Sequence, residues 1–137
     1  MFLGEYYPNI TNGSRLALPK KLRDLITGDD IILSRGFEKC IFLYDRGDWM
    51  EEAVKHVDNP ISDPKTRELK RYMYSSASET SIDSQGRLVI PQNLKDYAAL
   101  DLKVTVIGAG DHIEIWDFAN WQKHISRLSV SYALGDN

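Results

Sequence analysis

Two stretches decide the fold: "ITNGSRLALP", residues 10–19, and "IDSQGRLVIP", residues 82–91. Sliding the chain by 72 positions lays one over the other without a gap. Ile10 then matches Ile82, Arg15 matches Arg87, Leu16 matches Leu88, and Pro19 matches Pro91. The register continues outward through Leu22 and Leu94, Asp24 and Asp96, Gly36 and Gly108, Ile41 and Ile113, Asp45 and Asp117, and ends at Trp49 and Trp121. The chain is therefore a tandem of two copies of one unit. A solenoid needs three or more repeats to bury a core, so two copies point to a pseudo-twofold pair around one shared core.

Each copy carries the same pattern. "RLALP" and "RLVIP" alternate toward a strand that the proline ends by removing a ladder donor. "KKLRDLI" and "QNLKDYAAL" follow as short helices with proline at the first turn. "DIILSRGFEKCIFLYD" and "KVTVIGAGDHIEIWD" each read as a hairpin around a glycine-containing turn. "DRGDWMEEAVKHV" and "DFANWQKHISRL" place aspartate at a helix cap, with apolar stripes of Trp49, Ala53 and Val57, then Trp121, Ile125 and Leu128. Both tryptophans are expected in the core. Between the copies, Asp63 and Pro64 open a connecting helix whose apolar face is Leu69, Tyr72 and Met73. The expected units are a first repeat over residues 1–57, a connecting helical segment over 58–76, and a second repeat with a C-terminal helix over 77–137. Interleaved strands from the two copies would hide most sheet edges, which a single copy leaves open.

Composition bounds the function. With 137 residues, 42% hydrophobic and 27% charged, the chain is an ordinary globular sequence of one compact body. No apolar run approaches the roughly 20 residues of a membrane span, and the N-terminus lacks a signal-peptide pattern, so a cytoplasmic protein is expected. Cys40 is the single cysteine, which excludes an intramolecular disulfide and a multi-cysteine zinc site. His56, His112 and His124 fall at unrelated positions, and no serine sits in a nucleophile elbow. No catalytic residue, metal ligand or cofactor is assigned. The formal charge of −3 argues against indiscriminate coating of nucleic acid but allows a local basic face.

The pattern "MFLGEY…GSRLALPKKLR…GFEKCIFLY…W" followed by "SASET…DSQGRLVIPQNLKDYAAL…IGAGDHIEIWD" resembles, along essentially the whole chain, the bacterial MraZ family of transcriptional regulators. The resemblance implies a mainly β fold with flanking helices (α+β): an AbrB-like swapped-hairpin barrel built from the two repeats. It also implies a homo-oligomer closed into a ring and, as partner, double-stranded promoter DNA carrying short tandem repeats upstream of the division and cell-wall genes. It implies repression of the protein's own operon and a place on the nucleoid. The family motif is an aspartate followed four residues later by arginine. It stands intact as Asp83 and Arg87; in the first copy Thr11 takes the acid's position ahead of Arg15.

Arginine's planar fork fits a guanine edge or a phosphate in bidentate fashion, which lysine cannot reproduce. Arg15 and Arg87 are thus the expected DNA-reading residues, supported by Thr11 and Asp83, with Lys20, Lys21 and Arg23 as flanking phosphate contacts. The second-copy counterparts of those three are Gln92, Asn93 and Lys95, so the second half is expected to be electrostatically weaker. Without the resemblance, such an arginine reads as one partner of a surface ion pair. The competing function is a protein-interaction module of antitoxin type, which would normally carry one barrel half and a long acidic extension.

Overall fold

The computed structural model describes residues 1–56 and 59–135. The chain folds as α+β. In order it forms β1 (Glu5–Tyr6), β2 (Ile10–Thr11), β3 (Arg15–Ala17), α1 (Lys20–Arg23), β4 (Asp30–Arg35), β5 (Ile41–Asp45), α2 (Arg46–His56), α3 (Pro64–Ser76), β6 (Ser78–Ser81), β7 (Arg87–Val89), α4 (Gln92–Ala98), β8 (Val104–Gly108), β9 (Ile113–Asp117) and α5 (Phe118–Ala133). The strands make a six-stranded sheet, β1-β8-β9-β5-β4-β6, and a three-stranded sheet, β2-β3-β7.

The two expected hairpins are β4–β5 and β8–β9, and they join through β5 and β9. The strand that opens each repeat pairs with the hairpin of the other: β1 with β8, and β6 with β4. Each hairpin thus has one edge covered by its partner repeat. Two strand pairs are centred on residues separated by 72: Leu16 faces Leu88 between β3 and β7, and Phe42 faces Glu114 between β5 and β9. On either side of the second centre, Ile41 faces Ile115 and Leu43 faces Ile113. A pseudo-twofold axis therefore passes through both sheets.

Strand alternation sorts the apolar side chains into two layers. Leu16 and Leu88 from the small sheet meet Ile31, Leu33, Ile41, Leu43, Val104, Val106, Ile113 and Ile115 from one face of the large sheet, forming the main core. The opposite face of the large sheet, with Ile32, Phe42, Tyr44 and Trp116, is covered by Trp49 of α2, Met73 of α3 and Trp121 of α5. Both tryptophans are buried, as their matched positions predict. Ile125 is partly buried on the same cluster, whereas the side chain of Ala53 and all of Val57 lie outside the described residues. The connecting helix starts as read from sequence. Asp63 accepts the amide of Thr66 at 3.1 Å, Pro64 takes the first turn, and Leu69, Tyr72 and Met73 face the second cluster. Asp117 caps α5 through the Asn120 amide at 3.2 Å, and its counterpart Asp45 accepts the Gly47 amide at 3.3 Å.

Two local expectations change. The helix of "KKLRDLI" lasts only from Lys20 to Arg23, and beyond it Leu25 and Ile26 donate to the third residue back rather than the fourth. Asp45 takes the Thr27 amide at 2.8 Å and so draws the chain out of the helix toward Gly28, which adopts a positive φ of 88°. The first hairpin turn contains Gly36, yet the left-handed positions belong to Glu38 and Lys39, both at φ 65°. No helix of the described residues is long and apolar enough to cross a membrane.

Candidate nucleic-acid interface

Arg15 and Arg87 lie on the outer face of the small sheet because Leu16 and Leu88 take the inner one. In the β3–β7 register Arg15 stands opposite Val89 and Arg87 opposite Ala17. The arginines are therefore diagonal neighbours, with backbones about 7–8 Å apart on one surface. Together with Ile10, Thr11, Asn12 and Leu102 they line one open depression.

The turns that present them differ as their sequences differ. Asp83 Oδ1 accepts the amides of Gln85 at 2.8 Å and Arg87 at 2.9 Å, while Oδ2 accepts Arg87 Nε at 3.2 Å. The aspartate closes its own turn and fixes its arginine in one gesture. The Arg87 amide, then the Gln85 amide and the Arg87 charge, overcome partial desolvation and hold the Asp83 carboxyl below its ordinary value. In the first turn Thr11 Oγ1 reaches only the Arg15 carbonyl at 3.3 Å, and Arg15 Nη1 donates to the Asn12 carbonyl at 3.2 Å. Gly13 at φ 80° and Ser14 at φ 57° make the reversal that Gly86 at φ 75° makes in the second turn. Arg15 is thus more exposed and less constrained than Arg87.

Each turn is held by the other repeat. The Leu18 amide donates to the Gly86 carbonyl at 3.0 Å, and the Ile90 amide, 72 residues on, donates to the Ser14 carbonyl at 2.9 Å. The side chains repeat the exchange: Arg23 lies directly over Gly86, leaving no room for a Cβ, and its counterpart Lys95 donates to Ser14 Oγ at 2.9 Å. Arg23 is half-buried there, donates to the Leu18 carbonyl at 3.3 Å, and shares its hollow with Asp24, Asp29 and Asp83. Lys20 is paired with Asp24 at 2.6 Å, with both side chains exposed, and Lys21 is exposed on α1. The structure therefore groups Arg15 with Arg87, leaves Lys20 and Lys21 exposed on α1, and ties Arg23 into the second turn.

The sequence names Lys95 as the counterpart of Arg23 but does not foretell its bond to the first turn, although the 72-residue shift also places Ser14 over Gly86. Sequence reading missed a cluster on the far side of the large sheet. There His112 lies between Asp111 (Nδ1, 2.7 Å) and Glu114 (Nε2, 2.8 Å), and Glu114 also accepts Trp116 Nε1 at 3.0 Å. Burial works against the charged imidazole, but hydrogen bonds to Glu114 and Asp111 and their charges leave His112 above its ordinary value. Glu114 is lowered against its own burial by His112 and Trp116. Among the described residues no group of three or more histidine, cysteine or acidic side chains could hold a metal ion.

Comparison with known proteins gives one consistent picture. The family model described as "MraZ protein, putative antitoxin-like" matches residues 1–72 and again 73–133. The protein named transcriptional regulator MraZ of Roseiflexus castenholzii is 38% identical over 134 residues, covering 98% of this chain and 93% of its own. Proteins of the same name from Roseiflexus sp. strain RS-1 (37%; 98% and 93%) and Alkaliphilus oremlandii (36%; 96% and 92%) are similar to the same extent. The solution structure of PHS018 from Pyrococcus horikoshii aligns with a TM-score of 0.35 and 12% identity over 84% of this chain and 88% of that one, too loose a match to bear on the fold.

Proposed function

The chain belongs to the MraZ family of transcriptional regulators, and from that premise we propose that it is a sequence-specific DNA-binding protein whose reading surface is the small β2-β3-β7 sheet. The observation that carries this reading is the pair Arg15 and Arg87, diagonal neighbours on one exposed face and supplied by different repeats. Each guanidinium can take a base edge in bidentate fashion, a contact that discriminates by about 1–3 kcal/mol. Lys20 and Lys21 supply flanking phosphate contacts, and Arg23 adds charge while bracing the second turn. The topology fits an AbrB-like swapped-hairpin core, since each opening strand pairs with the other repeat's hairpin.

A single protomer makes few base contacts. In this proposal protomers assemble into a closed ring that reads tandem promoter repeats upstream of the division and cell-wall genes, repressing its own operon from the nucleoid. Joined reading surfaces raise avidity by roughly 10² to 10⁴ where operator spacing matches. An isolated box bound as tightly as the tandem array contradicts ring-based reading.

Fluorescence anisotropy tests the core of the proposal, using a tandem-repeat fragment from the gene's own upstream region and a scrambled control across salt. The expected result is a preference for the tandem fragment, a log–log salt slope of about −0.9 per phosphate neutralised, and loss of affinity in Arg15→Ala and Arg87→Ala. Equal weak binding of both fragments, unmoved by either substitution in folded protein, overturns it. The antitoxin-like wording of the family description supports a second reading, a protein-binding module of antitoxin type. That reading predicts capture of a protein partner independent of both arginines.

A further inference from the structure

At the end of the pseudo-twofold axis remote from the arginines, the two repeats are not alike. Phe42 and Glu114 face each other on β5 and β9, and the 72-residue shift relates Cys40 to His112 in the same way. The side chains interlock across the repeats. The His112 imidazole, which holds Glu114, is walled by the first repeat's aromatics: Phe42 at 4.5 Å between ring centroids and Tyr44 stacked at 5.3 Å. The His112 and Glu114 side chains are only 14% and 16% exposed, and Cys40 is buried beside them with its thiol pushed up by burial and by the Glu114 charge.

We propose that Cys40, Phe42, His112 and Glu114 specify which repeat pairs with which, joining a first repeat to a second and barring the pairing of second repeats from two chains. If two second repeats met through this same surface, Glu114 would stand opposite Glu114 across neighbouring strands. Like charges directly opposed in a sheet are destabilising, and each His112 would lose the wall of Phe42 and Tyr44 that the first repeat supplies. In the native pairing the opposing residue is an uncharged ring, and Glu114 shares His112 only with Asp111 of its own turn. Two first repeats would meet no such penalty at Phe42. Their association, however, leaves the second repeats of the same chains with no partner but each other, so barring one pairing bars both. A tandem protein needs this device because its two halves share one pairing geometry, so that like halves of neighbouring chains could also meet.

Two experiments on the full-length chain test the proposal. In urea denaturation, Phe42→Glu should cost at least about a hundredfold in the folding equilibrium, because it sets two carboxylates on the axis with one imidazole between them. Exchanging all four residues between repeats (C40H/F42E/H112C/E114F) should recover most of that loss, because it restores one acid opposite one ring. An exchanged chain no more stable than Phe42→Glu overturns the proposal. The second experiment uses a reporter chain, Arg87→Cys/Val89→Cys. By the β3–β7 register these positions face Ala17 and Arg15 in the native pairing, but would face each other across two second repeats. Refolded under oxidising conditions, the reporter should remain without interchain disulfide while Glu114 is present, and should form covalent dimers when Glu114→Phe is added. Equal dimer yield in both chains overturns the proposal.

Discussion

At the scale of the residue, one side chain separates two otherwise matching turns. Asp83 makes three hydrogen bonds within its turn, whereas Thr11 makes one. Removing Asp83 should therefore cost more specificity than removing Thr11. Anisotropy should show Asp83→Ala narrowing the gap between operator and scrambled DNA, while Thr11→Ala changes it little. Lys21 is exposed on α1, the helix that follows β3, so Lys21→Gln should weaken binding evenly across sequences and flatten the salt slope by about 0.9. That Arg15 and Arg87 stand at equivalent positions was legible in the sequence because the repeat flags them twice. The position of Arg23 was not, since its partner Gly86 is 63 residues away and only the folded crossing of the repeats brings them together.

At the scale of the element, the hairpins, the capped α3 and the tryptophan-bearing helices were readable because period, cap and proline agree there. The length of α1 was not, because a distant carboxylate on β5 competes for the Thr27 amide that would have extended the helix. The pairing of β1 was equally hidden, as two residues carry no periodicity. Its position depends on Gly108, where a Cβ would overlap the backbone of Phe2 and Leu3. Gly108→Ala should push the N-terminal strand off β8 at a cost of about 1–3 kcal/mol, read as a lower urea midpoint. Protection of the Phe2 and Gly110 amides, which bond to each other's carbonyls at 2.8 and 2.9 Å, should fall with it.

At the scale of the whole molecule, two sheets and a helical cover are stacked along one pseudo-twofold axis, with the arginines at one end and the His112 cluster at the other. The repeat made the axis visible in the sequence; the histidine cluster broke the symmetry and so escaped it. That cluster also sets a pH profile. His112 is raised above its ordinary 6.5, so its contribution is complete below that value and is lost as pH rises through the folded value. Glu114 is lowered from its ordinary 4.5, so its contribution is present above that value and is lost as pH falls through the folded one. The urea midpoint should be highest between pH 4.5 and 6.5, and His112→Asn should flatten its alkaline limb.

The crossed bonds between the turns bear on the order of events during synthesis. The Ser14 carbonyl is held by an amide 76 residues further along, and the Gly86 carbonyl by Leu18. A nascent chain that has not yet released Ile90 from the ribosome therefore has neither turn in its final form, however much of the first hairpin it has built. The arginine surface comes into being once, late, and as a unit, only after translation has passed both halves.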